Sequence, residues 1–381
     1  MTGIATEDRP LQVAIVGSGP SGFYAAAALL SGEPVHVDVF DRLPTPFGLV
    51  RGGVAPDHQK IKTVTRAYDK TAAHEHFRFF GNVHVGRDVT VAALLESYDQ
   101  VVLAVGAEAD RTMDIPGEGL PGSHSATAFV GWYNGHPDHQ DHVFDLDTET
   151  AVVVGVGNVA MDVARILAAP VETLAATDIT GRALEHLRTS AIRDVHVLGR
   201  RGPAQAAFTP AEIKEIDALP DVDLLISDED AALDALSQGW LEASGDKANR
   251  QNVAFLQSIA GRSPTGASRR VHLHLLTSPH ALTGDGRVQR VEIGRNRLVE
   301  PEPGWLKPQD TGERSAIEAG LVLRAVGYRG IPVPGVPFEE RRGIIPNVEG
   351  RVVDGEVVCD RLYVVGWAKR GPSGLIGTNR A

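Results

Sequence analysis

The feature that most constrains this chain is a unit that occurs twice: an apolar β-branched run, a glycine-rich turn, an alanine-rich helical stretch and a second apolar run. In the first copy Gln12–Gly17 (QVAIVG) meets the cluster Gly17-Ser18-Gly19-Pro20-Ser21-Gly22. Phe23–Leu30 then reads as helix, and Val35–Phe40 (VHVDVF) alternates as a strand does before ending at Asp41. In the second copy Ala151–Val154 runs into Gly155-Val156-Gly157-Asn158-Val159-Ala160 and Met161–Ala168 is helical. After an irregular insert, Val195–Gly199 (VHVLG) is the returning strand. Each copy is a βαβ unit, and parallel strands joined this way require an α/β fold with helices packed on the sheets.

Between the copies, Leu43–Asp57 is too dense in Pro and Gly for a regular element, and Ile61–Ala73 has helical character. Val101–Gly106 and Leu321–Gly327 are strand-like runs that both end in Ala-Val-Gly, and Leu362–Gly366 supplies a further strand. These runs serve as crossing points. The expected division is residues 1–108 for the first part of one domain, 109–325 for an inserted second domain, and 326–381 for the return to the first.

The glycine spacing carries chemistry. In a GxGxxG turn the first glycine allows the tight turn, the second lets a diphosphate approach the backbone, and the third lets helix and strand pack closely. The helix N-terminus then faces the diphosphate. Asp41 ends the next strand at about the twenty-residue spacing at which a carboxylate accepts the ribose hydroxyls. The second turn is the GxGxxA variant, and its returning strand ends in Arg200-Arg201 in place of an acid. Guanidinium forks hold a 2′-phosphate that an acid repels, which selects NADP(H) over NAD(H). The competing reading of that arginine pair is a solvated surface turn. Two dinucleotide sites in one chain read as FAD and NADPH, because a flavin takes up a hydride and returns electrons singly.

Composition closes off other classes. With 37 Lys+Arg against 49 Asp+Glu the formal charge is −12, a poor starting point for neutralising a phosphate backbone. Cys359 is the only cysteine, so an intramolecular disulfide, a CxxC pair and a cysteine-ligated cluster are excluded. Met1–Pro10 is short and polar, unlike a secretory leader, and no apolar run reaches transmembrane length, so a cytoplasmic protein is expected. His136, His139 and His142 (HPDHQDH) fit a solvated loop better than a metal site, and His74/His76 and His272/His274 are alternations without a convergent third ligand. No metal site is expected.

Longer strings now carry a resemblance. LPTPFGLVRGGVAPDHQKIK (43–62), RFFGN (78–82), GWYN (131–134), GNVAMDVAR (157–165), GRRGPAQAAF (199–208) and GWAKRGPSGLIGTN (366–379) resemble the adrenodoxin reductase-type ferredoxin–NADP(+) reductases. The similarity runs from about Val13 to the last residue. It implies a glutathione-reductase-like fold of two Rossmann-like domains, the NADP domain inserted into the FAD domain. Carried over by position, it implies FAD contacts at Gly17, Gly19, Pro20, Ser21, Gly22, Asp41, Leu49 and Val85, with Trp367, Gly374, Leu375 and Ile376 close to the flavin. It implies NADP contacts at Arg111, Gly157, Asn158, Val159, Arg200, Arg201, Glu212 and Gly374, and an electron-transfer role for His58 and Glu215. By itself His58 reads as a loop histidine satisfied by a neighbouring carboxylate.

Two departures accompany the resemblance. Asp41 stands where the family has glutamate, and family members continue beyond the position of Ala381 through a helix whose N-terminus would face the flavin. The leading expectation is an NADPH-dependent flavoenzyme passing single electrons to a small acidic iron–sulfur ferredoxin, as a monomer. Ferredoxin acidity calls for a basic docking face, for which Arg182, Arg188 and Arg193 are candidates. Alternatives are a weakly active or non-catalytic nucleotide-binding remnant, or the flavin subunit of a larger redox complex. A flavin disulfide reductase is excluded by the lack of a dithiol.

Overall fold

The computed structural model describes residues 5–32, 34–374 and 376–380. The chain forms two compact units. One contains the described residues up to Val54, His58–Arg111 and those from Gly327 onward; the other contains Ala55–Asp57 and Thr112–Val326.

The first unit is built on a seven-stranded sheet. Five strands run parallel in the order Val357–Val364, Gln100–Leu103, Leu11–Val16, Val35–Phe40 and Phe77–Phe80. Two short antiparallel strands, Arg351–Asp354 and Asn347–Val348, extend the edge beside Val357–Val364. Val13 to Val16 are buried in succession, as expected of a parallel strand covered on both faces. Phe23, on the helix Pro20–Leu30, stacks on Tyr68 with ring centroids 4.9 Å apart and meets Phe47 at 5.3 Å, forming an aromatic core on one face. The helical stretch expected over 61–73 is split into Gln59–Lys62 and Thr65–Ala72. The Pro/Gly-dense segment holds one helical turn, Leu49–Gly52, entered through Gly48 at φ 49°.

The second unit is a six-stranded, wholly parallel sheet in the order Ser123–Ser125, Leu321–Arg324, Thr150–Val154, Asp194–Leu198, Arg269–His274 and Val222–Ile226. The helix Asn158–Ala168 is buried from Ala160 to its end and packs with Phe129 and Trp132 of the helix Ala126–Asn134. Val152, Val154 and Leu198 point to the other face, against Leu282, Val291 and Ile293 of a three-stranded antiparallel meander, Thr277–Thr283, Arg290–Glu302 and Trp305–Glu318. The segment read as an irregular insert contains two helices, Val171–Ala175 and Gly181–Arg188, the second capped by the Thr180 side chain. Neither shows a long enough period to stand out from its polar surroundings.

His272 and His274 gain a third imidazole from the neighbouring strand. His196 stacks on His272 at 4.5 Å and shares a 2.8 Å hydrogen bond with His274, while Asp194 pairs with His272 at 2.7 Å and with Arg270 at 2.6 Å. Burial, then the charges of His272 and His274, push His196 down to about 3. The unfolded chain takes up this proton near 6.5, so the contribution of neutral His196 is complete above that pH and is lost as pH falls toward 3. His196→Phe keeps the stack and removes the titration. It is expected to flatten the fall in stability between pH 6 and 4 by up to about 1.4 kcal/mol per pH unit, read from urea unfolding at a series of pH values; an unchanged slope would place the titrating group elsewhere.

Candidate functional site

The two glycine turns occupy equivalent places in the two sheets. Each follows a strand flanked on one side by the next strand of its βαβ unit and on the other by a strand that joins the sheet later in the chain, the switch point at which open α/β sheets bind ligands. In the first unit Gly17 donates its N–H to Phe40 O at 2.8 Å, and Ala104 N–H donates to Val16 O at 2.7 Å. Gly17 has φ 105°, and a Cβ there would sit 2.4 Å from Ala104 O. A Cβ on Gly22 would sit 2.1 Å from Gly17 O, so the third glycine lets the helix reach the strand. Gly19 has no atom within 4 Å of its Cβ position. That open space lies at the start of the helix Pro20–Leu30, whose first-turn N–H groups have no intrahelical acceptor and suit a diphosphate. Pro20, at the first helical position, presets the backbone there.

Asp41 ends the adjacent strand and is engaged by the turn itself. Its Oδ2 accepts from Ser18 N–H at 2.8 Å and from the Ser18 hydroxyl at 2.5 Å, and its Oδ1 accepts from Leu43 N–H at 2.9 Å. A carboxylate has roughly four lone-pair sites, so acceptor capacity remains for a ribose hydroxyl. Ser18 is a residue the sequence reading passed over; its signal was a hydroxyl between the first two glycines.

The return segment lies against this turn. Val365 N–H donates to Leu103 O at 2.9 Å, and a Cβ on Gly366 would meet Ser21 Oγ at 2.4 Å. Trp367, in the turn Gly366–Arg370, donates its indole N–H to Ser373 O at 3.1 Å. Gly374 has φ 81°, and Ile376 opens a 3₁₀ turn to Arg380 and packs on the aromatic core of this unit. Leu375 lies outside the described residues. Val85 is buried, and Leu49 is 37% exposed at the start of its helical turn. Arg111 belongs to the first unit, its N–H on Gly327 O at 3.0 Å and its Nε–H on Tyr328 O at 3.3 Å. His58, also in this unit, precedes the turn Gln59–Lys62.

The second unit repeats the construction. Gly155 N–H donates to Leu198 O and Ala325 N–H to Val154 O, both at 2.8 Å. Gly155 has φ 131°, with a Cβ 2.3 Å from Ala325 O, and Gly157 again faces open space. Ala160 is fully buried in the third position, and Val159 packs on the core. Asn158 accepts from Thr209 N–H at 2.8 Å through its side-chain oxygen, tying this helix to the start of Pro210–Asp217. Arg200 is exposed and Arg201 half-buried, and among the described residues neither has a carboxylate within ion-pair distance. Burial, then the charge of Arg200, lowers the pKa of Arg201. Two adjacent cations, one partly desolvated and neither paired, form a place for an anion.

Glu212 and Glu215 lie on the helix Pro210–Asp217, in a network the sequence did not reveal. Arg165 is 1% exposed and donates to Asp57 at 2.6 and 2.9 Å, to Asp162 at 2.7 Å and to Glu212 at 3.1 Å, with Glu215 at 3.6 Å. Burial works against its charge, but the bond to Asp57 and the charges of Asp162 and Asp57 prevail and raise its pKa. A lone arginine among Ala164, Ile166 and Leu167 was the available signal, since a charge on a buried helix face requires partners.

The family described as Pyridine nucleotide-disulphide oxidoreductase matches residues 11–197. The NADPH-ferredoxin reductase FprA of Mycobacterium tuberculosis is 50% identical over 378 residues, 98% of this chain and 81% of that protein. The chain belongs to the adrenodoxin reductase-type ferredoxin–NADP(+) reductases. Within this family, the mitochondrial NADPH:adrenodoxin oxidoreductase of Arabidopsis thaliana is 42% identical over 390 residues, covering 98% of this chain and 80% of that one. The structure of Mycobacterium tuberculosis FprA in complex with NADPH superposes with a TM-score of 0.92 at 49% identity, covering 98% of this chain and 82% of that one.

Arg165→Met removes a buried cation from the carboxylates of Asp57, Asp162 and Glu212. It is expected to cost about 3–5 kcal/mol of stability, measured by urea unfolding, and Arg165→Lys is expected to recover only part of this because an ammonium lacks the planar fork. A loss below about 1 kcal/mol would reduce the network to a surface-like set of ion pairs.

Proposed function

We infer that this protein is an NADPH-dependent flavoenzyme that passes electrons from NADPH through FAD to an iron–sulfur ferredoxin. The observation that carries the reading is the duplicated turn: open space at Gly19 and at Gly157, each before a helix N-terminus, with a carboxylate closing the first site and an unpaired arginine pair beside the second. The names of relatives at 42–50% identity point the same way.

The chemistry a bound flavin supplies is conversion of the two-electron hydride of NADPH into single electrons. The chain's part is to bind and orient. Gly17, Gly19, Pro20, Ser21 and Gly22 form the diphosphate cradle of the FAD site, Asp41 accepts from the ribose, and Leu49 and Val85 line the site. Trp367, Gly374, Leu375 and Ile376 of the return segment serve the flavin end. Gly157, Asn158 and Val159 form the NADP diphosphate cradle, and Arg200 and Arg201 take the 2′-phosphate. Arg111, Glu212 and Gly374 complete the NADP contacts, and His58 and Glu215 serve electron transfer. The ferredoxin is small and acidic, and the exposed Arg182, Arg188 and Arg193 offer it a basic face; Arg182 already pairs with Asp141 at 3.2 Å. No helix among the described residues is long and apolar enough to cross a membrane. The enzyme we propose is cytoplasmic and works as a monomer.

The purified protein is expected to be yellow and to be bleached quickly by NADPH and slowly by NADH. Reduction of a cytochrome is expected to depend on added ferredoxin. A colourless protein that FAD cannot reconstitute would overturn the reading. Arg200→Ala with Arg201→Ala is expected to raise the KM for NADPH about 10–100-fold and leave that for NADH within about twofold; an equal loss for both coenzymes would refute the 2′-phosphate assignment.

A further inference from the structure

The arginine pair is held by a device on a different element of its own unit. Strand Asp194–Leu198 is followed by Gly199, Arg200 and Arg201, and each of these three residues has its carbonyl oxygen engaged. Gly199 O accepts from Thr277 N–H at 2.8 Å, and Arg201 O accepts from Leu276 N–H at 3.1 Å. Between them, Arg200 O accepts from a side chain, the Nδ2 of Asn296, at 3.0 Å. Asn296 is 6% exposed and comes from the meander, where a register shift between Gly294 and Asn296 interrupts the pairing with Trp305–Glu318. Its other Nδ2 contact is Ser278 Oγ at 2.8 Å, and its backbone N–H donates to Leu276 O at 2.6 Å. Leu276 itself has φ 51°, a left-handed conformation that costs a non-glycine residue energy and persists only where its surroundings hold it. Arg295, the neighbour of Asn296, bonds Leu275 O at 2.9 Å and Asp230 at 2.5 Å, which fastens the same turn from the other side.

A buried carboxamide, a strained leucine and a β-bulge thus converge on the backbone of two unpaired arginines. We propose that Asn296 is a positioning residue for the coenzyme's 2′-phosphate: its carboxamide fixes the main chain from which Arg200 and Arg201 project. The proposal rests on the reading of that pair as the 2′-phosphate site. Two long guanidinium side chains lose less freedom on meeting an anion when their backbone is already held, so the contribution belongs to coenzyme discrimination and not to electron transfer.

The test uses the flavin-loaded protein and adenosine 2′,5′-bisphosphate, titrated calorimetrically beside steady-state kinetics. Asn296→Ala is expected to weaken the bisphosphate about tenfold and to raise the KM for NADPH by the same factor, with kcat and the KM for NADH unchanged. Asn296→Asp, nearly isosteric, sets an acceptor against Arg200 O and is expected to lose at least as much; it carries the test if the alanine variant does not fold. Ser278→Ala, which leaves the bond to Arg200 O in place, is expected to change neither quantity. In the background of Arg200→Ala with Arg201→Ala, Asn296→Ala is expected to add nothing further for the bisphosphate, since Asn296 acts through those two side chains.

Bisphosphate affinity equal to the parent in both Asn296 variants would overturn the proposal, as would a loss shared equally by NADPH and NADH. If Arg200→Ala with Arg201→Ala leaves bisphosphate affinity intact, the coenzyme reading itself fails. That result is distinct from one in which the arginines matter and Asn296 does not.

Discussion

Both nucleotide cradles depend on a steric limit at the end of a parallel strand. The chain must leave the sheet, turn and enter a helix while passing under the carbonyl of the adjacent strand's continuation, Ala104 O in one unit and Ala325 O in the other. At Gly17 and Gly155 any side chain would collide with those oxygens, and both residues have the positive φ that other residues avoid. The closeness is what brings the first-turn N–H groups of the two helices to the sheet's C-terminal edge, where an anion can reach them. Gly19 and Gly157 then matter for the opposite reason, because a ligand and not the protein would fill the space beside them.

The charges around the cradles are arranged by a contrast between paired and unpaired groups. Arg165 is enclosed by carboxylates in the interior, where an uncompensated guanidinium would be costly, and its role there is to hold the helices Asn158–Ala168 and Pro210–Asp217 and the segment Ala55–Asp57 in one unit. Among the described residues Arg200 and Arg201 have no such partners, and their backbone is satisfied instead, carbonyl by carbonyl. A fold that immobilises the main chain while leaving the charge unmatched keeps that charge available to a bound anion. Asp41 is an intermediate case: the turn's own Ser18 orients it, so the carboxylate closes its loop and retains acceptor capacity.

Much of this was legible in the residues because it is local. The apolar runs at Leu11–Val16, Val35–Phe40, Thr150–Val154 and Asp194–Leu198 are strands, and the glycine spacing placed the turns between Val16 and Pro20 and between Val154 and Asn158. The meander was not legible: its strands from Thr277 to Glu318 are long, polar on one side and bulged, so their alternation is broken at Pro279 and again at Asn296. The helices Val171–Ala175 and Gly181–Arg188 were missed because they are short, with apolar residues that meet a core assembled from other segments.

Glycine spacing, the acid after one strand and the arginine pair after the other point by sequence alone to two nucleotide sites, because each turn and the end of its returning strand belong to one βαβ unit. Tertiary structure alone decided which polar groups are already engaged. Nothing local marks Ser18 as the partner of Asp41, Asp57 as a partner of Arg165 across more than a hundred residues, or Asn296 as the donor to Arg200 O. Hydrogen bonds of that kind are set by how sheets and helices stack, and the stacking is determined by apolar packing summed over a whole unit, in which no single residue pair carries a readable signal.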